Sequence, residues 1–293
     1  MVRPSRFRAI RCCRTIGGKV LDAILPLLEL KQNSMSELES RGIKFASKNI
    51  AIVASFNENV DEVRRIVQTI NEVGYEVLVI NNGSLTKAYG ELSDTLNFFE
   101  RRNVGYDFGA YRDSMRLFEF PRNLILMNTS MIWDHRRLAR IIHELTSLDL
   151  GGRVTYLTES LQGSRHGQSF FVHINVKEAE ISKLKTFLLT KTKNWRFKRS
   201  AVQFGEKALF DFFKSVPEIQ IEFLFPYNEV EKSYMLLSQA DSEAWIKSHL
   251  KKNVKLNPTQ HLWPALKKLG FPGIKKTLIK NNPAKLEKIP IPE

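Results

Sequence analysis

Cysteine is nearly missing from this 293-residue chain: there are two, Cys12 and Cys13, and they are neighbours. Adjacent Cα atoms lie about 3.8 Å apart, closer than an ordinary disulfide takes. With no distant partner, a disulfide framework and a cysteine-based zinc site are excluded, and the pattern fits a reducing compartment. Long apolar runs are missing too. Residues 20–30 come nearest, but Asp22 and Pro26 interrupt them, so neither a membrane span nor a secretory signal is expected. No G-x-G-x-x-G follows the first apolar run, and there is no P-loop lysine pattern, which argues against a dinucleotide cofactor. Helix-turn-helix, RNP and zinc-finger patterns are absent and the arginines are dispersed, so no nucleic-acid partner is expected. There is no internal repeat and no low-complexity tract.

What is present is positive charge and a sizeable apolar fraction. Lys and Arg number 45 against 31 Asp and Glu, a formal net charge of +14, and 43% of residues are hydrophobic. The length supports one large core, or a core with appendages. Taken alone, the charge implies an anionic partner, namely a phosphate-bearing substrate, an anionic lipid or, motifs aside, nucleic acid; alternatively it serves only solubility. Arg3, Arg6, Arg8, Arg11 and Arg14 precede Leu21, Ile24, Leu25 and Leu28. That segment reads either as an interfacial membrane helix or as a helix packed on the domain with its arginines in water. Residues 32–48 read as a polar linker.

From there strands and helices alternate. Residues 50–56 form a clean apolar strand ending in Asn57-Glu58-Asn59. Asp61 opens a helix with Val63, Ile66, Val67 and Ile70 on one face, closed by Gly74. Residues 75–80 are a second strand ending in Asn81-Asn82-Gly83-Ser84. The organising stretch follows: a short strand at Asn97-Phe98-Phe99-Glu100, then the polar loop Arg101-Arg102-Asn103-Val104-Gly105-Tyr106-Asp107-Phe108-Gly109. Next come a helix reaching to Pro121 and a buried strand at 124–127 that ends in Asn128-Thr129-Ser130. Such alternation predicts an α/β fold with a mostly parallel sheet flanked by helices. In open sheets of this kind ligands lie outside the carboxyl ends of the strands. Helices are expected at 136–145, 176–189 and 201–213, and strands at 154–157, 168–174 and 219–225. Beyond residue 229 the pattern loosens into a basic, helix-leaning tail. The expected division is a basic segment and linker at 1–48, the α/β domain at 49–228, and a basic C-terminal extension at 229–293 that packs on the domain.

Several of these pieces, in order, resemble the rhamnan-synthesis protein F group of glycosyltransferase-like proteins in bacterial polysaccharide and O-antigen assembly. They are Arg102-Asn103-Val104-Gly105-Tyr106-Asp107-Phe108-Gly109, Ser55-Phe56-Asn57, Val79-Ile80-Asn81-Asn82, and Leu126-Met127-Asn128-Thr129-Ser130. Further along come His166-Gly167-Gln168-Ser169-Phe170-Phe171, Gly205-Glu206, Asn257-Pro258-Thr259 and Gly270-Phe271-Pro272-Gly273-Ile274-Lys275-Lys276. The resemblance spans about residues 49–283 and implies a GT-A-like, Rossmann-type sheet that binds a nucleotide-sugar donor.

The resemblance implies donor binding at Asn57, Asn82, Arg102, Asn103, Asp107, Asn128 and Ser130. Glu206 would be the base that takes the acceptor proton, or else an ordinary glutamate favoured by a helix N-terminus. His166 would bind acceptor or phosphate, or else be a solvated loop residue. Asp107 would hold the donor or a metal, or cap the helix. A divalent cation, Mg²⁺ or Mn²⁺, usually sits at an acidic D-x-D motif, because a hard ion wants carboxylate oxygens. Here that position reads Asn128-Thr129-Ser130, where members commonly show Asn-Asp-Ser. Asp107 or Asp134 could stand in as ligand, or Arg102, Arg112 or nearby lysines could neutralise the diphosphate. The partners the resemblance implies are a nucleotide-sugar donor, with dTDP-rhamnose as a candidate, and a glycan or lipid-linked acceptor. The expected site of action is the cytoplasm, either free or peripheral on the inner face of the plasma membrane. The alternative is a non-catalytic sugar-nucleotide or glycan binder in a polysaccharide assembly complex.

Overall fold

A computed structural model describes residues 45, 47–56, 58–83, 97–101, 103, 105–147, 151–193, 195, 198–238 and 242–282. The expected N-terminal basic segment, Asn57, Ser84 and Arg102 lie outside the described residues.

The first unit follows directly from its side chains. Strand β1 (Asn49–Ser55) is buried along nearly its whole length. Alternate residues face opposite sides, so Ala51 and Val53 join one apolar cluster while Ile50, Ile52 and Ala54 join the other. Helix α1 (Val60–Asn71) starts where the Asn59 side chain accepts from the Asp61 N–H. Its apolar Val63, Ile66, Val67 and Ile70 recur at helical spacing and are buried. Gly74 ends the turn with φ of 86°. Strand β2 (Glu76–Asn81) and strand β3 (Asn97–Glu100) follow. Helix α2 (Tyr106–Ser114) stops well before Pro121, with the Ser114 hydroxyl donating to the Tyr111 carbonyl at its last turn. The helix expected to reach Pro121 is therefore shorter, because a side-chain bond to the backbone competes with the ladder.

Strands β4 (Asn123–Asn128) and β5 (Met131–Trp133), helix α3 (His135–Ser147), and strands β6 (Arg153–Ser160), β7 (His166–Gly167) and β8 (Phe171–Asn175) come next. Helix α4 (Glu178–Lys191) and the short helix α5 (Lys198–Ala201) lead into a π-helical segment, Val202–Glu206, and then helix α6 (Lys207–Ser215) and strand β9 (Gln220–Phe225). The main sheet has the order β3-β2-β1-β4-β8-β6-β7, with β9 beside β6. The run β3-β2-β1-β4 is parallel, as is β6 with β9, while β8 pairs antiparallel with both β4 and β6. The protein is thus α/β, with a mostly parallel mixed sheet flanked by helices. Successive strands run outward from β1 to β3, and then β4 takes the other side of β1. That reversal opens a crevice at the carboxyl ends of β1 and β4.

The C-terminal segment consists of helices α7 (Tyr227–Met235), α8 (Ala244–Lys251), α9 (Pro258–His261) and α10 (Trp263–Lys268), strand β10 (Gly273–Lys275), and helix α11 (Lys276–Asn281). Tyr227, Val230, Tyr234, Trp263, Leu266, Phe271 and Ile274 share one buried cluster with β1, α1 and α3. Strand β10 pairs antiparallel with β5, setting Lys275 opposite Met131. The Trp263 indole donates to the Gly273 carbonyl at 3.0 Å and pins that strand. The helix-leaning character expected of this part of the chain is present, and the three-residue strand β10 interrupts it beside the crevice.

Candidate active site

The crevice is built from strand ends. The Thr129 N–H donates to the Ala54 carbonyl at 3.1 Å, tying the tip of β4 to the tip of β1. Asn128 turns the chain there. Its Oδ1 accepts from the Ser130 N–H at 3.1 Å, and its Nδ2 donates to Asp107 Oδ2 at 2.8 Å. The Ser130 hydroxyl is buried and has no hydrogen-bond partner.

Asp107 reaches this point through a strained turn. Gly105 has φ of 77° and Tyr106 φ of 52°. A Cβ on Gly105 would stand 2.8 Å from the Lys193 carbonyl oxygen, so only glycine fits. A tyrosine in the left-handed region is costly, and such strain collects at functional sites. The turn swings the first residues of α2 toward β4. A buried network holds it there: Arg101 Nε donates to Asp113 Oδ2 at 2.9 Å, and Arg101 Nη1 donates to Asn82 Oδ1 at 2.6 Å. Asn82 Nδ2 donates in turn to the Tyr106 carbonyl at 3.3 Å. Asn82, expected among the donor-binding groups, therefore spends its side chain on positioning α2. Asn103 is exposed.

Glu206 enters from the other side. It is the last residue of the π-helical segment, a geometry that often marks functional sites. Gly205 allows the approach, since a Cβ there would lie 2.5 Å from the Phe108 ring. Glu206 Oε2 accepts from the Ser169 hydroxyl at 3.0 Å, and Oε1 lies 3.3 Å from His166 Nε2. His166 Nδ1 faces the Ser164 carbonyl at 2.7 Å and so carries hydrogen. His166 is 4% exposed, which removes the reading of a solvated loop histidine. It sits on β7, paired with β6 through Ser160. The two residues expected to do chemistry, 40 apart in the chain by their numbers, thus meet, with His166 Nε2 3.3 Å from Glu206 Oε1.

Lys275 was not expected in the site. Strand β10 carries it next to β5, the Lys276 N–H donates to the Ser130 carbonyl at 3.0 Å, and the Lys275 ammonium lies 5.2 Å from the centre of the Phe170 ring. Burial lowers the Lys275 pKa from its ordinary value, with Glu206 and Asp107 opposing the shift and Lys198 reinforcing it. Burial likewise raises Asp107 to about 6; Lys275 and the Asn128 hydrogen bond hold it down, and Glu206 pushes it up. The buried hydroxyls of Tyr111 and Tyr156 have no hydrogen-bond partner. The Tyr111 hydroxyl is pushed well above its ordinary range by burial first, then by Asp107 and Glu206.

This donor set does not suit a divalent cation. Among the described residues, no group of three or more His, Cys, Asp or Glu side chains is placed to hold one. Asp134 caps α3, accepting from the Arg137 N–H at 3.0 Å and pairing with the Arg137 guanidinium. Arg112 is paired with Asp113. Asp107 and Glu206 remain, and a lysine ammonium shares their field.

No family model matches the chain. The virulence protein VirA of Vibrio anguillarum, including that of strain ATCC 68554 / 775, is 25% identical over 199 residues. That match covers 64% of this chain and 63% of VirA, so the chain spans less than two thirds of the relative's length. Among solved structures, the apo-form glycosyltransferase GlyE of Streptococcus pneumoniae TIGR4 aligns with a TM-score of 0.32 and 13% identity, over 56% of this chain and 44% of GlyE. At that score the likeness carries no weight for function.

Proposed function

We propose that the chain is a glycosyltransferase that moves a sugar from a nucleotide-sugar donor to a glycan acceptor. The observation that carries this reading is the meeting of Asp107, Asn128, Glu206, His166 and Lys275 at the crevice where the strand order reverses. The ordered motifs shared with the rhamnan-synthesis protein F group support the same reading and make dTDP-rhamnose the first donor to test. In the proposed transfer, an acceptor hydroxyl oxygen forms the new bond to the anomeric carbon as the bond to the diphosphate oxygen breaks. Glu206 takes the hydroxyl proton, with the Ser169 hydroxyl donating to its carboxylate and the His166 ring packed beside it. Asn128 and Asp107 face the donor side. A lipid-linked acceptor at an anionic membrane surface agrees with the net charge of +14. No helix among the described residues is long and apolar enough to cross a membrane.

The test is Glu206→Gln. It keeps the shape and an acceptor for Ser169 but removes the base. Release of nucleoside diphosphate from a panel of dTDP-, UDP- and GDP-sugars should fall at least a hundredfold, while donor binding by calorimetry stays within a few-fold. Unchanged turnover would refute the assignment. The second reading, a non-catalytic sugar-nucleotide binder, draws on Thr129 at the position where a carboxylate is usual. It predicts donor binding without turnover in the wild-type chain, whatever metal is supplied.

A further inference from the structure

We infer that Lys275 supplies the positive charge for the leaving nucleoside diphosphate, so that the crevice binds that group without a divalent cation; the inference rests on the transferase reading above. A breaking bond to a diphosphate leaves negative charge on its oxygens, and that charge needs a fixed cation or a metal. The cations around the crevice are largely committed elsewhere. Arg101 and Arg112 both pair with Asp113, and Lys276 pairs with Glu58. Lys275 differs. Among the described residues its ammonium makes no hydrogen bond and no ion pair; it lies against the Phe170 ring, in the field of Glu206 and Asp107. It is nevertheless enclosed by protein, with part of its surface left open.

Burying an ammonium without a partner is expensive, and a lysine with only structural duties would extend its head to water. Strand β10 is clamped between the β5 ladder and the bond from Trp263 to the Gly273 carbonyl. Gly273 itself admits no Cβ, which would stand 2.7 Å from the Ile132 carbonyl oxygen, so the strand sits as close to β5 as backbone allows. Lys275 is therefore held beside the Asn128-Thr129-Ser130 turn, where a hard cation would need carboxylates and finds none. An anion entering there would gain a charge-assisted hydrogen bond from a donor that has no hydrogen bond to break first. A diphosphate has the required chemistry.

The test uses UDP, dTDP and GDP, with the corresponding monophosphates, on the full chain by calorimetry. In EDTA, at least one nucleoside diphosphate should bind wild type within about twofold of its Kd in Mg²⁺ or Mn²⁺. Lys275→Met keeps the apolar stem and removes the charge. It should weaken the diphosphate about tenfold or more and leave the monophosphate nearly unchanged, a selective loss that mere structural damage would not produce. Should K275M fail to fold, Lys275→Gln is measured in its place, and the metal comparison on wild type stands by itself. Binding that appears only with the metal overturns the inference and leaves the transferase reading intact. Equal losses for mono- and diphosphate, or none, overturn the role of Lys275. No binding of any nucleotide under any condition overturns the transferase reading itself.

Discussion

Asp107 offers a test that needs no substrate. Burial raises its pKa from 3.8 to about 6, so the folded chain holds this proton more tightly than the unfolded chain does. The stabilising contribution of the protonated form is fully present below about pH 4 and is lost as pH rises through 6. At about 1.4 kcal/mol per unit, the buried carboxylate costs up to about 3 kcal/mol at pH 8. Asp107→Asn removes the charge, and the amide oxygen can still accept from Asn128 Nδ2. Part of the gain is returned, because Lys275 loses a favourable neighbour. The net expectation is about 1–3 kcal/mol of added stability at pH 8, or several degrees in Tm for a chain of this size. Lys275, Glu206 and Lys198 all act on this group, so the measurement is a pair of stability curves from pH 4 to 8 rather than one point. The variant should exceed wild type above pH 6, and the gap should close toward pH 4. A variant that is less stable at pH 8, or a gap that is the same at both ends, would refute the reasoning.

Gly205→Ala places a Cβ 2.5 Å from the Phe108 ring. It should destabilise the fold by about 1–3 kcal/mol by overpacking, measured by urea denaturation, and should move Glu206 away from Ser169. Arg101→Leu breaks a buried pair whose side chains are 1% and 7% exposed. Its cost should fall at the low end of roughly 3–5 kcal/mol, because Arg112 still holds Asp113, and proteolysis should show α2 loosened first.

Much of the parallel half was legible because its signal is local. The strand expected at 50–56 is Asn49–Ser55, and that expected at 75–80 is Glu76–Asn81. Continuous apolar runs flanked by turn residues leave little choice there. Other parts of the site were not legible, for three physical reasons. Strand β7 is two residues long, too short to show a period, so His166 looked like a loop residue. The turn that aims Glu206 is π-helical, and one extra residue per turn leaves no mark on a pattern read at helical spacing. Lys275 enters through a three-residue ladder between β5 and β10. Such a pairing joins distant parts of the chain and is encoded by tertiary packing around Trp263 and Phe271, not by any local propensity. The sequence did contain one hint: Gly273-Ile274-Lys275 lies in one of the stretches on which the expected resemblance to the rhamnan-synthesis group rests.

The measurement that bears most directly on the whole account is a crystal structure of the chain grown with a nucleoside diphosphate or its sugar. The account predicts the diphosphate at the carboxyl ends of β1 and β4, beside the Asn128 turn, with Lys275 on one side of it and the sugar directed toward Glu206. A nucleotide seated anywhere else on the molecule would contradict it.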